Sequence, residues 1–304
     1  MTLQHDEESA VLMRERATWS RGLGGVFCAL ALVATGCTAG GGADDSGIAA
    51  RVSQHTIQQE VDGVMVDRTY TIHTPPGWDT STPLPLVFGF HGGGGMGDFL
   101  VEPLDESIQA GTFVGVYPDG IAQSWNLGRE ESTADDVAFV ESILDALEGQ
   151  PGLDTTHPVA LGYSNGAGLV NMLAIDSDRF VSIAPMATQL MADKQPQPGG
   201  PAVSVLQLHG TDDAVIPYGG STSSEDHSFL HAEESAAVWA AHNGCSATAT
   251  ETPSGAYVRM EWESCSAGTQ VVHYRLEGVG HDLPWDVEGD TWQTVVRFLL
   301  GTRP

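Results

Sequence analysis

Apolar residues fall along this chain in two rhythms. From residue 52, "VSQHTIQQEVDG" and "VMVDRTYTIHTPP" are β-rich runs on either side of Asp62-Gly63. That dipeptide favours a tight two-residue turn, so the pair reads as a β-hairpin. The middle of the chain differs. "LPLVFGF" (84–90), "FVGVYPDG" (113–120), "PVALGY" (158–163), "FVSIAPMA" (180–187) and "AVSVLQLHG" (202–210) are near-continuous apolar runs. Such runs are strands buried on both faces. Between Thr133 and Leu147, Val137, Phe139, Val140, Ile143, Leu144 and Leu147 recur at helical spacing. Further helices are expected from about Asn165, near 229–242 and near 287–300. Two alternating strands, "AYVRMEW" (256–262) and "QVVHYRL" (270–276), precede the last helix. Strands alternating with helices give an α/β fold with a mainly parallel sheet flanked by helices on both faces. There is no internal repeat, and "QLMADKQPQPGGP" (189–201) reads as a surface excursion.

Composition narrows the function. Apolar residues make up 41% of the 304, enough for a substantial core. The net charge of −28 argues against a nucleic-acid partner, whose phosphates would be repelled. Near the start, Arg14, Arg16 and Arg21 precede an apolar stretch from Leu23 to Ala34 that ends in "VATGC" at Cys37. The stretch is shorter than the roughly 20 apolar residues a bilayer span needs and fits a signal peptide. Met13 then reads as the true start, because residues 1–12 are acidic. "VATGC" resembles the bacterial lipoprotein box, in which the cysteine is acylated. On that reading 1–36 is a signal peptide, Cys37 carries a lipid anchor, and 37–51 is a glycine-rich tether. The remaining residues, 52–304, form one catalytic domain in the cell envelope. The alternative is an ordinary secretory signal and a secreted protein. In either exported setting, the isolated pair Cys245 and Cys265 reads as one disulfide.

The chemistry gathers at strand ends. "PVALGY" runs into "GYSNG" (162–166), a G-x-S-x-G that is weak alone but sits between a buried strand and a helix. That is the setting of a nucleophile elbow, a sharp turn that exposes the hydroxyl of Ser164. A serine hydroxyl needs a base. His281, in "GVGHDLPW", follows the last strand, and Asp212 and Asp213 follow the strand ending at His209-Gly210. The order Ser, Asp, His is the one this turn accompanies. Charge alone does not choose between the two aspartates. "HGGGG" (91–95) is placed to supply one backbone N–H of an oxyanion hole, with Gly92, Gly93 and Gly94 as candidates and Gly93 preferred; Asn165 supplies the other.

These segments, with "VYPDG", Trp125-Asn126, "DDVAFV" (135–140), "LHGTDDAVIPYGG" and the two cysteines, resemble the polyhydroxybutyrate-depolymerase-like and feruloyl-esterase-like serine esterases of the α/β-hydrolase superfamily. The resemblance spans residues 65 to 285 and implies an α/β-hydrolase fold with no large lid. The family register H-G-x-x-D-x-x-[V/I]-P places the catalytic acid at Asp213. The family tends to follow its histidine with Trp-Pro, whereas here Asp282-Leu283-Pro284-Trp285 follows, so Trp285 is the candidate for that pocket wall. Trp125 lines the acyl pocket or packs in the core.

The resemblance implies ester hydrolysis through an acyl-enzyme, with no metal and no cofactor. Polyester degraders of this group usually carry an extra binding module. None is left over here, which favours feruloyl, acetyl or other small accessible esters, including polysaccharide-linked ones, over polyhydroxybutyrate. A prolyl-oligopeptidase-like peptidase, which would bring a propeller domain, and a catalytically dead lipid-anchored binding protein are the rivals. Other polar residues have plainer readings. His91 and His209 are structural hydrogen-bonders, Asp135 and Asp136 cap a helix, and the spacing of His227 and His231 is a coincidence at a helix start.

Overall fold

The computed structural model describes residues 51–302 apart from 198, 223–225 and 283–285. The expectations for 1–36, Cys37, most of the tether and Trp285 lie outside the described residues. The hairpin forms as read: β1 (Val52–Val61) pairs antiparallel with β2 (Val64–His73). Its two turn residues, Asp62 and Gly63, both have positive φ, as a two-residue turn matching the strand twist requires.

The five apolar runs become β3 (Leu84–Phe90), β4 (Val114–Pro118), β5 (Leu153–Tyr163), β6 (Ser182–Met186) and β7 (Ser204–Gly210). β8 (Thr250–Ser254), β9 (Tyr257–Trp262) and β10 (Val271–Leu276) complete a ten-stranded sheet of order β1-β2-β4-β3-β5-β6-β7-β10-β9-β8. The six central strands, from β4 to β10 in that order, are parallel, and the antiparallel pairs flank them.

Helices cover both faces, which is why the central strands are apolar throughout. Leu86, Phe88 and Phe90 of β3 join a cluster with Phe139 and Val140 of α2 (Asp136–Leu147), Leu169 and Leu173 of α3 (Asn165–Asp176) and Trp239 of α4 (Ala232–His242). Val87 of β3 and Leu161 of β5 face the other way. They meet Leu104 and Ile108 of α1 (Val101–Gln109) and Val295 and Leu299 of α5 (Thr291–Gly301).

Several boundaries differ from the expectation. α4 starts at Ala232 rather than 229, and α5 covers 291–301 rather than 287–300. The segment 189–201 is not wholly a surface excursion, because Gln189, Leu190 and Met191 are buried. Gln189 donates to the carbonyls of Pro217 and Leu230, and Met191 bridges Phe229, so the segment closes one end of the core. Cys245 and Cys265 are disulfide-bonded. Among the described residues, no helix is long and apolar enough to cross a membrane.

Candidate active site

Ser164 sits between β5 and α3 with φ +54° and ψ −122°, outside the regions an L-residue ordinarily occupies. The neighbours enforce that turn. A Cβ on Gly162 would lie 2.4 Å from the Gly166 carbonyl oxygen, and one on Gly166 would lie 2.3 Å from that of His91. Both glycines are therefore demanded by crossing backbone, with β3 pressed against the first turn of α3. The Ser164 N–H donates to Met186 of β6 at 2.9 Å, so the elbow is tied to the next strand as well. Strain of this kind persists where the surrounding structure over-determines it.

The carboxyl ends of β7 and β10 bring the other two side chains in. Gly210 ends β7 and lets the 278–281 loop pack directly on it: an added Cβ would lie 2.2 Å from the Val279 carbonyl oxygen. His281 consequently reaches both neighbours, its Nε2 2.7 Å from Ser164 Oγ and its Nδ1 2.7 Å from Asp213 Oδ2. The Tyr163 hydroxyl donates to the His281 carbonyl and steadies the same loop. Burial of Tyr163, with Asp213 and Asp282 nearby, pushes its pKa up to about 12, so the hydroxyl keeps its proton.

Asp213 is buried and accepts at both oxygens. Oδ1 takes the N–H groups of Val215 and Ile216, each at 2.9 Å. Oδ2 faces His281 and, at 3.3 Å, Nε2 of His209. Burial acts to raise the pKa of this carboxyl. The hydrogen bonds from His209, His281 and Ile216 outweigh it and hold the group well below the usual carboxylate range. Asp212, by contrast, is exposed.

The serine opens into a cavity of about 460 Å³ whose lining includes Gly92, Gly93, Asn165, Leu127, Ile216 and Phe229. The glycine loop is braced by His91, which accepts the Gly120 N–H at Nε2 (3.0 Å) and donates from Nδ1 to the Gly92 carbonyl (2.8 Å). The N–H groups of Gly94 and Gly95 are engaged, by Gln123 and Gly92. Gly93 lies beside Asn165, whose Cβ would be 3.8 Å from a Cβ built there. Trp125 belongs to the core and not to the cavity wall. It is fully buried, its ring meets Phe90 edge-on, and its indole N–H donates to the His91 carbonyl.

One further expectation changes, and another gains detail. Asp135 caps α2 as read, accepting the Ala138 N–H, but Asp136 pairs with Arg68 at 2.6 Å in the interior. His227 and His231 share no helix face, because both precede α4. His231 caps α4, whereas His227 lines the cavity with Nε2 2.8 Å from Glu130 Oε1. The sequence reading missed Glu130 and His227 as site residues, since they lie 97 positions apart and carry no motif. Among the described residues, no group of three His, Cys, Asp or Glu side chains is placed to hold a metal ion.

No protein-family model matches the chain. It is 27% identical over 228 residues to "Probable feruloyl esterase C" of Aspergillus niger, across 71% of this chain and 76% of that protein. It is 28% identical over 228 residues to feruloyl esterase C of Emericella nidulans, with the same shares covered. Among solved structures, an acetyl xylan esterase from Aspergillus awamori aligns over 81% of this chain and 99% of its own, with a TM-score of 0.56 at 14% identity. At that identity the structural likeness speaks to the fold alone, and the sequence relatives speak to the chemistry. The chain is a carboxylic ester hydrolase with the α/β-hydrolase fold.

Proposed function

We propose that the chain is a serine esterase that works through an acyl-enzyme. Ser164 Oγ attacks the ester carbonyl carbon as its proton passes to His281 Nε2. The tetrahedral intermediate collapses, the C–O bond to the alcohol breaks, and the imidazolium returns the proton to the leaving oxygen. Water then repeats the sequence against the acyl-serine and frees the acid. Asp213 orients the imidazole and stabilises its charged form without taking the proton. The observation that carries this reading is the continuous relay from Ser164 through His281 to Asp213 at 2.7 Å per step, on a strained elbow.

The oxyanion is assigned to the N–H groups of Gly93 and Asn165. In support, Gly94 is already engaged, Gly93 is adjacent to Asn165, and the Asn165 N–H belongs to the first turn of α3, where backbone donors lack helical partners. The acyl half runs toward Leu127, Ile216 and Phe229. The alcohol half lies on the His281 side, bordered by Tyr163 and by Phe99, which is 44% exposed. An open alcohol side suits small or polysaccharide-linked esters, among them acetyl esters and the feruloyl esters for which the sequence relatives are named. Export behind the 1–36 signal and anchoring through acylated Cys37 complete the proposal. Loss of palmitate labelling in Cys37→Ala checks the anchor.

A fluorophosphonate probe should label Ser164 in the folded protein and stop turnover. An unlabelled serine in active enzyme would overturn the reading. Rates on p-nitrophenyl acetate, methyl ferulate and a hydroxybutyrate oligomer then rank the acyl groups, and fastest turnover of the oligomer would reject the small-ester assignment.

A further inference from the structure

At the acyl end of the cavity one carboxylate holds three chain segments together. Glu130 is nearly buried, its side chain 8% exposed. Its Oε2 accepts the N–H groups of Leu127 at 2.6 Å and Arg129 at 3.1 Å, both in its own loop. Its Oε1 faces Asn165 Nδ2 at 3.4 Å, on the first residue of α3, and His227 Nε2 at 2.8 Å, in the connection between β7 and α4. Burying a carboxylate is costly unless hydrogen bonds surround it. Here four groups converge on it, two backbone N–H groups and the side chains of Asn165 and His227.

The Asn165 side chain is committed on its remaining faces. Oδ1 accepts from the Trp125 N–H at 2.7 Å and from Ser124 Oγ at 3.2 Å, and Nδ2 donates to the Trp125 carbonyl at 2.9 Å. The conformation of the residue after Ser164 is thus set from outside α3, by the 124–130 loop. The same Oε1 of Glu130 also reaches the β7–α4 connection that carries Asp213.

We propose that Glu130 is a positioning residue for ester hydrolysis, acting through Asn165 on the oxyanion donors and through His227 on the wall that carries Asp213. The proposal rests on the serine-esterase reading above. Glu130 touches no reacting atom. Its effect is geometric, because oxyanion donors act only from within a few tenths of an ångström of their proper places.

Glu130→Gln keeps the shape and one acceptor oxygen but must turn an NH₂ toward donors. Its kcat on p-nitrophenyl acetate should fall about ten- to a hundredfold, with KM near wild type. Fluorophosphonate labelling of Ser164 should slow in the same proportion, and the thermal midpoint should stay within about 4 °C. His227→Gln, which can still donate to Glu130, should retain more kcat than His227→Leu. An unchanged kcat in Glu130→Gln overturns the proposal. So does a rise confined to KM, which would mean direct contact with substrate. If Glu130→Gln does not fold, the two His227 variants decide, and equal kcat values for them overturn it. Failure of wild-type Ser164 to label would instead remove the serine-esterase reading.

Discussion

Asp213 Oδ2 lies 2.7 Å from His281 Nδ1, while the adjacent Asp212 is exposed and meets Thr211 Oγ1 at 3.4 Å. The two aspartates therefore carry opposite expectations. An asparagine at 213 can keep the N–H donors of Val215 and Ile216, but it then aims an NH₂ at His281 Nδ1. That favours the tautomer with its proton on Nε2, which cannot accept the Ser164 proton. Asp213→Asn should lower kcat by about 10⁴, and Asp212→Asn should leave turnover near wild type. Equal losses in steady-state assays of the two variants would mean the acid has been misassigned. Because Asp213 is held well below the ordinary carboxylate range, its own protonation should not shape the acid limb of the pH–rate profile.

The elbow makes a second prediction, about space. An alanine Cβ at 166 would lie 2.3 Å and 2.4 Å from the carbonyl oxygens of His91 and Phe90. Backbone cannot yield as a flexible side chain can, so Gly166→Ala should destabilise by about 1–3 kcal/mol or more and lower kcat by moving Ser164. Gly301 closes α5 with nothing within 4 Å of an added Cβ. Gly301→Ala should be neutral or stabilising by up to about 1 kcal/mol. Urea unfolding of the pair checks the argument, which fails if Gly166→Ala is as stable as wild type.

The parts legible in sequence were those with a local signature. The central strands are buried on both faces, so each is an unbroken apolar run, and the elbow announces itself through glycines two residues either side of Ser164. Asp213 needed the register of the whole "HGTDDAVIP" stretch, because neither its charge nor its neighbour distinguishes it. β8 was invisible because all five of its residues are exposed and it holds Pro253. α1 was missed although Leu100, Leu104 and Ile108, all buried, recur every four residues. Pro103 discourages a helical reading, yet it lies in the first turn, where a missing N–H costs nothing. Glu130 and His227 were beyond reach for a different reason: their pairing exists only once the fold joins two distant loops.

Acid should weaken the fold through His273. This side chain is fully buried in β10, with Nε2 2.8 Å from the Tyr218 hydroxyl and Nδ1 3.1 Å from Gln207 Nε2. Burial, with His209 nearby, pushes its pKa down from 6.5 to about 3. Above 6.5 the ring is neutral in both folded and unfolded chains and contributes no pH dependence. Below it the unfolded chain takes up a proton that the folded chain refuses, so stability falls as pH falls toward 3. The loss from this one group should be about 2 kcal/mol between pH 7 and pH 5. His273→Asn, less stable at pH 7, should lose correspondingly less between those two pH values in urea titrations. An identical pH dependence in wild type and variant would show that His273 is not the source.

The last expectation concerns the alcohol. His281 Nε2 must reach the leaving oxygen, so the alcohol half of the ester departs along the side where the Tyr163 ring lies 5.3 Å from the His281 ring. Phe99 stacks on Tyr163 at 5.7 Å and is 44% exposed, next to Met96 at 54%. A large apolar alcohol, or the apolar face of a sugar, can cover that ring, whereas a methyl group is too short to do so. Covering an aromatic side chain is worth about 1.5 kcal/mol or more, close to a tenfold change in affinity. Phe99→Ala should therefore raise KM about tenfold for benzyl or naphthyl esters and leave methyl esters of the same acid unchanged. Since Phe99 is half in solvent, its loss should cost the fold little. A KM change of equal size for the methyl and the aromatic alcohols would place Phe99 outside the alcohol's path, and a change confined to the acyl series would put it on the wrong side of Ser164.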